Sequence, residues 1–417
     1  MKSSQRKSTI KSCSIFFYDG WLGAAPTVIN VADLLSKNGY QVTIFTRDIE
    51  KIGYRYIKPI DLNSNIKVIY FRPLKVDFLV KLLSKMGLGS LVPTVSLTLF
   101  SLQILNYRLK TSSTQLEHSI SIGIDTDGAT LALLEAYLKK SKLVYLSLEL
   151  NDANNFNRLD KLRLIADRLA FKKSSCVIIQ DKDRFINLCA YGNYRHSKVF
   201  YIPNSLSLGN SEKISLSFKS SNFFRELFNL EEKRSPYLVV AAGMINDFVF
   251  AKELADAFNS INKKFALIFH VSRKRDLNEP YIKALKEINS NSLFLSLNPL
   301  PYEQIDRVFT SITIGLACYR GIDENYSNIA KASGKLAGYL MHGKPVLMSD
   351  LQSLSELNAK YQFGIVIKDP SSPSEIEQAL ETIIANYGLY SNNAILCYKE
   401  EFDFNSKSSE FFNFIDV

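Results

Sequence analysis

Apolar residues in this chain fall into short runs, separated by stretches where they recur every three or four positions. The first run, residues 13–18 (CSIFFY), predicts a strand. A glycine-containing loop, 19–25, leads to Pro26, which suits a first helical turn because it lacks the N–H that would go unsatisfied there. Val28, Val31, Ala32, Leu34 and Leu35 then form one apolar stripe, Asn38-Gly39 ends the helix, and residues 41–46 (QVTIFT) predict the next strand. Strand, helix and strand in this order predict a parallel pair. Further strands are predicted at 66–71, 120–124, 143–148, 176–179 and 199–202, with helices at 129–139 and 159–172. Residues 204–221 are rich in Ser, Asn and Gly, with weak periodicity, and read as a linker. A second series follows. Its strands are predicted at 237–241, 265–270, 293–297, 312–317, 345–348 and 365–367, and its helices at 248–262, 281–288, 335–341 and 374–385. The expected architecture is α/β, with two tandem Rossmann-like domains at 1–205 and 206–395. Ligands of such sheets bind beyond the carboxyl ends of the strands, which places a site in the cleft between the domains.

Composition supports two cores, since 417 residues with 46% hydrophobic and 22% charged side chains exceed what one compact domain usually holds. The net charge of +10 is uneven: residues 1–205 carry about +13 and 206–417 about −3. A basic half implies an anionic partner: a lipid surface, a phosphorylated acceptor or nucleic acid. The five cysteines are odd in number and widely spaced, with no Cys-x-x-Cys pair, which argues against a disulfide framework or a zinc site and fits a reducing, cytoplasmic compartment. Cys13, Cys176 and Cys318 read as small core residues. Lys11 and Asp19 bracket too short an apolar run for a leader, and no run reaches the roughly 18 residues of a membrane span. Residues 76–105 come nearest. They read as two short amphipathic helices, broken at Gly87, Gly89 and Pro93 among others, which can cover a sheet or lie on a membrane with Lys81 and Lys85 toward headgroups.

The chemistry concentrates at 328–349 (NIAKASGKLAGYLMHGKPVLMS). Ser333 and Gly334 stand where a helix begins, and a helix start offers free N–H groups and a positive dipole end to a phosphate. Lys335, in the first turn, opposes that dipole and makes sense beside an anion. Arg273 and Lys274, after the strand at 265–270, and Arg320, after the strand at 312–317, are further cations at carboxyl strand ends. In the first half, Asp127 and Glu149 follow predicted strands and face the expected cleft. Either carboxylate suits proton transfer, and Asp127 equally suits a cap for the helix from Ala129. Gly23 permits close backbone approach. The four histidines lack metal spacing, and no metal is expected at the two Asp-x-Asp triplets, 125–127 and 181–183.

The segment from Lys335 to Val346, KLAGYLMHGKPV, resembles the donor-binding stretch of GT-B glycosyltransferases, particularly family 4. Gly20-Trp21-Leu22-Gly23, Gly39 to Thr43, residues 164–184, residues 199–204 (VFYIPN) and Val240 to Gly243 resemble other landmarks of that family, in order along nearly the whole chain. The resemblance implies a GT-B glycosyltransferase that moves a sugar from a nucleotide-activated donor to a polysaccharide, lipid-linked or other glycan acceptor. It implies a retaining, metal-independent reaction with no cofactor beyond the donor, and no nucleic acid partner. Gly23 and Gly243 would approach the donor phosphates. Residues 396–417 would return as a helix to the first domain through Phe402, Phe404, Phe411, Phe412 and Phe414. Two family features are missing. The pair of glutamates falls at Ala330 and Gly338, with Asn328 or Tyr326 as substitutes, and the arginine after the glycine falls at Met244. These departures leave two alternatives, a degenerate non-catalytic binding protein and a sugar-nucleotide epimerase of the same fold.

Overall fold

A computed structural model of the chain describes residues 11–52, 58–59, 62–73, 83–111, 119–151, 161–206, 221–233, 235–288 and 291–416. The first sheet comprises β1 (Ser12–Phe17), β2 (Gln41–Arg47), β3 (Ile66–Phe71), β4 (Ser119–Ile124), β5 (Lys142–Leu146), β6 (Cys176–Ile179) and β7 (Val199–Tyr201), in the order β3-β2-β1-β4-β5-β6-β7. The second comprises β8 (Tyr237–Gly243), β9 (Phe265–Val271), β10 (Leu293–Ser296), β11 (Ile314–Ala317), β12 (Val346–Ser349) and β13 (Gly364–Ile367), in the order β10-β9-β8-β11-β12-β13. All pairings are parallel. The strand order reverses between β1 and β4 in one sheet and between β8 and β11 in the other, and ligands of such folds bind at these reversals.

Every run predicted as a strand is one, because apolar runs with both faces buried are what a covered parallel sheet requires. The boundaries moved for local reasons. β5 stops at Leu146 because the Asp125 carboxylate takes the N–H groups of Leu148 and Glu149. The helix expected from 129 begins at Asp125, whose φ of 51° turns the chain sharply out of β4. In the expected pair of helices at 76–105, residues 74–82 lie outside the described residues. The helix Val92–Thr111 then runs unbroken, with Pro93 tolerated because it occupies the first turn. No helix among the described residues is long and apolar enough to cross a membrane.

The helices Val92–Thr111, Asp125–Lys139, Lys161–Lys173 and Lys182–Gly192 supply the buried side chains on one face of the first sheet. Helices Pro26–Lys37 and Phe404–Ile415 cover the other. The terminal helix does cross back: Phe404, Phe411 and Ile415 sit in the first core, with Phe412 and Phe414 against it. Phe402 belongs instead to the second core, and the crossing falls at Asp403, which caps the final helix through the Ser406 N–H. Asp416 then pins the end to Lys11 at 2.6 Å and to Tyr40 at 3.0 Å.

Candidate functional site

Two helix starts, one from each half, meet across the interface. The helix Gly334–Met341 begins where a Cβ placed on Gly334 would lie 3.5 Å from the Asn204 amide and 3.8 Å from the Pro26 ring. Asn204 stitches the two ends together. Its side chain accepts from Thr27 at 2.9 Å and donates to the Ala332 carbonyl at 3.0 Å, and its N–H donates to Lys331. Asn30 adds a bond to the Ser205 carbonyl and accepts one from Tyr302. The helix Pro26–Lys37 has no side-chain cap; Pro26 lacks an N–H and Val28 donates to the Ala25 carbonyl, which leaves the Thr27 N–H of the first turn without an intrahelical acceptor. The positive dipole ends of the two helices therefore converge.

Ser333 is buried, and its hydroxyl is already engaged. It accepts from the Leu336 N–H at 3.2 Å and shares a 2.5 Å bond with the Tyr319 hydroxyl, so its role here is the helix cap. The N–H groups of Gly334 and Lys335 remain for a ligand. Lys335 is half-buried, with Nζ 4.3 Å from the centre of the Tyr319 ring, beside Cys318 at the end of β11. Among the described residues it has no hydrogen-bond acceptor and no carboxylate partner. Burial lowers its ammonium to about 8. A lysine held there without an anion is destabilising twice over, by desolvation and by the helix dipole.

Acidic groups gather at the carboxyl ends of β1, β4 and β5. Asp125 is buried, and burial raises its carboxyl well above the ordinary range. Asp19 adds to the rise, while the hydrogen bond from Glu149 N–H opposes it. Glu149 is exposed yet has protein on most sides. The resulting loss of water raises its carboxyl first of all, with Arg184 opposing and Asp323 and Asp19 adding. Asp125 fixes the Glu149 backbone, while the Glu149 carboxylate itself accepts no hydrogen bond from the described residues. Asp127 differs. Arg163 grips it with two bonds from one guanidinium nitrogen, at 2.6 and 2.8 Å, and a third at 3.1 Å, and it lies within the first helical turn instead of capping a helix from Ala129. Asp127 therefore does not cap a helix from Ala129, and its carboxylate is engaged by Arg163.

The remaining expected residues divide. Gly243 ends β8 at φ 112°, a conformation for glycine alone, with open space where a Cβ would stand. Gly23 lies in the turn Leu22–Ala24, ahead of the Pro26 helix, and lines a small crevice with Gly20, Arg47 and Lys58. Lys274 is exposed and Arg273 half-buried beyond β9. Arg320 is engaged within its own half, with Glu253, the Asp247 carbonyl and the face of Phe250, so it is not free for a phosphate. The Asn328 amide donates to Glu324 within the same short helix. At Gly338, a Cβ would come within 2.3 Å of the Phe309 ring, so no glutamate fits, and Ala330 is buried. Asp181 caps the helix Lys182–Gly192, and no group of three His, Cys, Asp or Glu suited to a metal occurs among the described residues.

Three residues carry parts of the site that periodicity did not single out. Asp19, just past the end of β1, is half-buried and has no hydrogen-bond partner among the described residues, and burial followed by repulsion from Asp127 raises it to about 6. Arg184 is fully buried and donates to Gln180, the Leu148 carbonyl and Asn325. Asn325, from the second half, pairs its amide with both the N–H and the carbonyl of Leu150, at 2.7 and 2.8 Å. Its neighbour Tyr326 stands near Glu149 and against Tyr319, the ring beneath Lys335. The Asp-Lys-Asp-Arg sequence at 181–184, a cap followed by an arginine inside an apolar stripe, was the one signal for Arg184.

The whole arrangement has known counterparts. A sucrose-phosphate synthase from Thermosynechococcus elongatus superposes with a TM-score of 0.66 at 14% identity, over 97% of this chain and 98% of that one. Anabaena HepE, solved with UDP and glucose, gives 0.65 at 14%, over 98% of this chain and 100% of that one. The fold is GT-B. WaaG, a glycosyltransferase involved in lipopolysaccharide biosynthesis, gives 0.61 at 12%, over 97% and 99%. At these identities the likeness is one of GT-B fold. No protein-family model and no curated protein sequence matches the chain.

Proposed function

We propose that the chain is a glycosyltransferase that takes a sugar from a nucleoside-diphosphate donor. Residues 206–395 hold the donor, and residues 1–205 present a glycan or lipid-linked acceptor. The carrying observation is Lys335, an unpaired, half-buried cation at a helix start that faces a second helix start. A diphosphate there satisfies the free N–H groups and pairs with the lysine's charge. Gly243 and Gly23 allow the backbone to approach it. In the reaction, the bond between the anomeric carbon and the phosphate oxygen breaks and the acceptor oxygen takes its place. The acceptor proton passes to the departing phosphate, with Glu149 stabilising positive charge on the sugar. This fits a retaining, metal-independent path, and the latched halves keep water out of the crevice. HepE, of the same fold, was solved with UDP and glucose, which makes UDP-sugars the first donors to try.

The glutamate pair absent at Ala330 and Gly338 favours one second reading, a binding protein without turnover. A screen of UDP-, GDP-, ADP- and dTDP-sugars by thermal shift separates the cases. A donor at a hundredfold excess over its Kd stabilises the fold by about 3 kcal/mol. Stabilisation followed by slow release of free sugar supports the transferase, and stabilisation with neither hydrolysis nor transfer supports the binding protein. No shift with any nucleotide sugar sinks both.

A further inference from the structure

The outward side of the first sheet's helical layer is unlike an ordinary water-facing surface. Helices Val92–Thr111, Asp125–Lys139 and Lys161–Lys173 each bury one stripe against the sheet, typified by Phe100, Ala132 and Phe171. Each also shows a second apolar stripe to solvent, at helical spacing: Leu105 with Leu109, Leu134 with Leu138, and Ile165 with Leu169. Tyr137 stands beside them, and exposure in this set runs from 45% at Leu169 to 84% at Tyr137. The middle helix shares a core cluster with each of its neighbours, so the three helices lie in one layer and turn their second stripes to the same side. Nine of the nineteen exposed large apolar side chains among the described residues fall on these three helices, where an even spread would place about three. Exposed apolar side chains concentrated in this way mark an interaction surface.

Charge identifies the partner. All three helices lead into strands of one parallel sheet, so their carboxyl ends share one edge of it, the edge away from the crevice. Lys110, Lys139, Lys140, Lys172 and Lys173 are exposed along that edge. The acidic residues of the same helices are withdrawn. Asp125 and Asp167 are buried, Asp127 is held by Arg163, and Glu135 by Arg108 and Lys139. Two copies meeting face to face would bring two such lysine rows together. A bilayer with anionic headgroups accepts both the apolar stripes and the lysines. We infer that this outer helical face docks on a membrane bearing anionic phospholipid. The inference goes beyond the transfer reading and does not rest on it.

Flotation of the full chain with vesicles tests it without any nucleotide sugar. The chain rises with phosphatidylcholine vesicles containing about 40 mol % phosphatidylglycerol and stays behind with phosphatidylcholine alone, because each lysine near the surface contributes about fivefold to partition. Leu109→Ser, Tyr137→Ser and Leu138→Ser together lower partition at least about tenfold with Tm unchanged, since none of the three is buried. Lys139→Glu with Lys172→Glu does the same through charge alone. The inference is overturned by any of three results: equal flotation with neutral vesicles, wild-type flotation of both variants, or a concentration-dependent dimer that the apolar triple variant dissolves.

Discussion

The two ends of one helix carry the same chemistry with opposite meaning. Lys335 sits in the first turn of Gly334–Met341 and Lys344 just past its end, and burial lowers both ammonium groups to about 8. Neither has a hydrogen-bond acceptor or ion-pair partner for its Nζ among the described residues. At the carboxyl end the helix dipole favours a cation, so Lys344 is in a stabilising place on the sheet edge away from the crevice. At the amino end the dipole opposes Lys335, whose Nζ lies over the Tyr319 ring, one residue after the Gly334 that approaches Asn204 of the other half. Burial of a lysine alone therefore marks nothing, and burial against the local field, beside unsatisfied N–H groups, marks an anion seat.

The comparison can be broken at several points. The largest effect is expected in the middle of the helix, where Gly338→Ala drives a methyl into the Phe309 ring. It should cost about 3 kcal/mol in chemical denaturation, and a cost under 1 kcal/mol would show that the ring yields and that a larger family residue is tolerable there. Next is Lys335→Met, expected to weaken nucleotide-sugar binding by tens of fold in calorimetry while Tm holds or rises, because an unfavourable buried charge is removed. Lys344→Met should leave donor affinity within about twofold, and equal losses in the two variants would erase the distinction between the ends. Ser333→Ala should cost about 1 kcal/mol of stability through the lost cap, with a smaller loss of affinity.

The smallest effect is a pH dependence. The ligand-free folded state releases the Lys335 proton near 8, the unfolded chain near 10.5. The unfolded state thus binds more protons between these values, so the ligand-free protein gains stability as pH rises through that window. Donor binding has the opposite sign, since a diphosphate prefers the ammonium, and affinity should decline as pH rises above 8. Titration of the Lys335→Met variant should lose the affinity trend and keep only the part of the stability trend that Lys344 contributes.

Much of this was legible in the sequence. All thirteen strands were visible as apolar runs, and the start of the Gly334 helix was visible from Ser333 to Met341. Partner choice was not. Arg320 reads as a free cation after a strand, yet Glu253 lies across from it and takes it. Asp127 reads as a cap or a base, yet Arg163, thirty-six positions on, neutralises it. Asn325 is an ordinary polar residue until the two halves close on Leu150 and Arg184.

The order of amino acids alone sets the alternation of strands and helices, hence two covered parallel sheets, because burial on both faces imposes a pattern each segment carries within itself. It also sets the helix start that can seat an anion, since cap, glycine and lysine are adjacent in the chain. The assembled fold sets which charges remain unpaired, which glycine position is walled off by an aromatic ring, and that three helices turn a second apolar stripe outward. Those outcomes depend on neighbours brought together from distant positions, and electrostatic and packing energies depend on distance in space, whatever the separation along the chain.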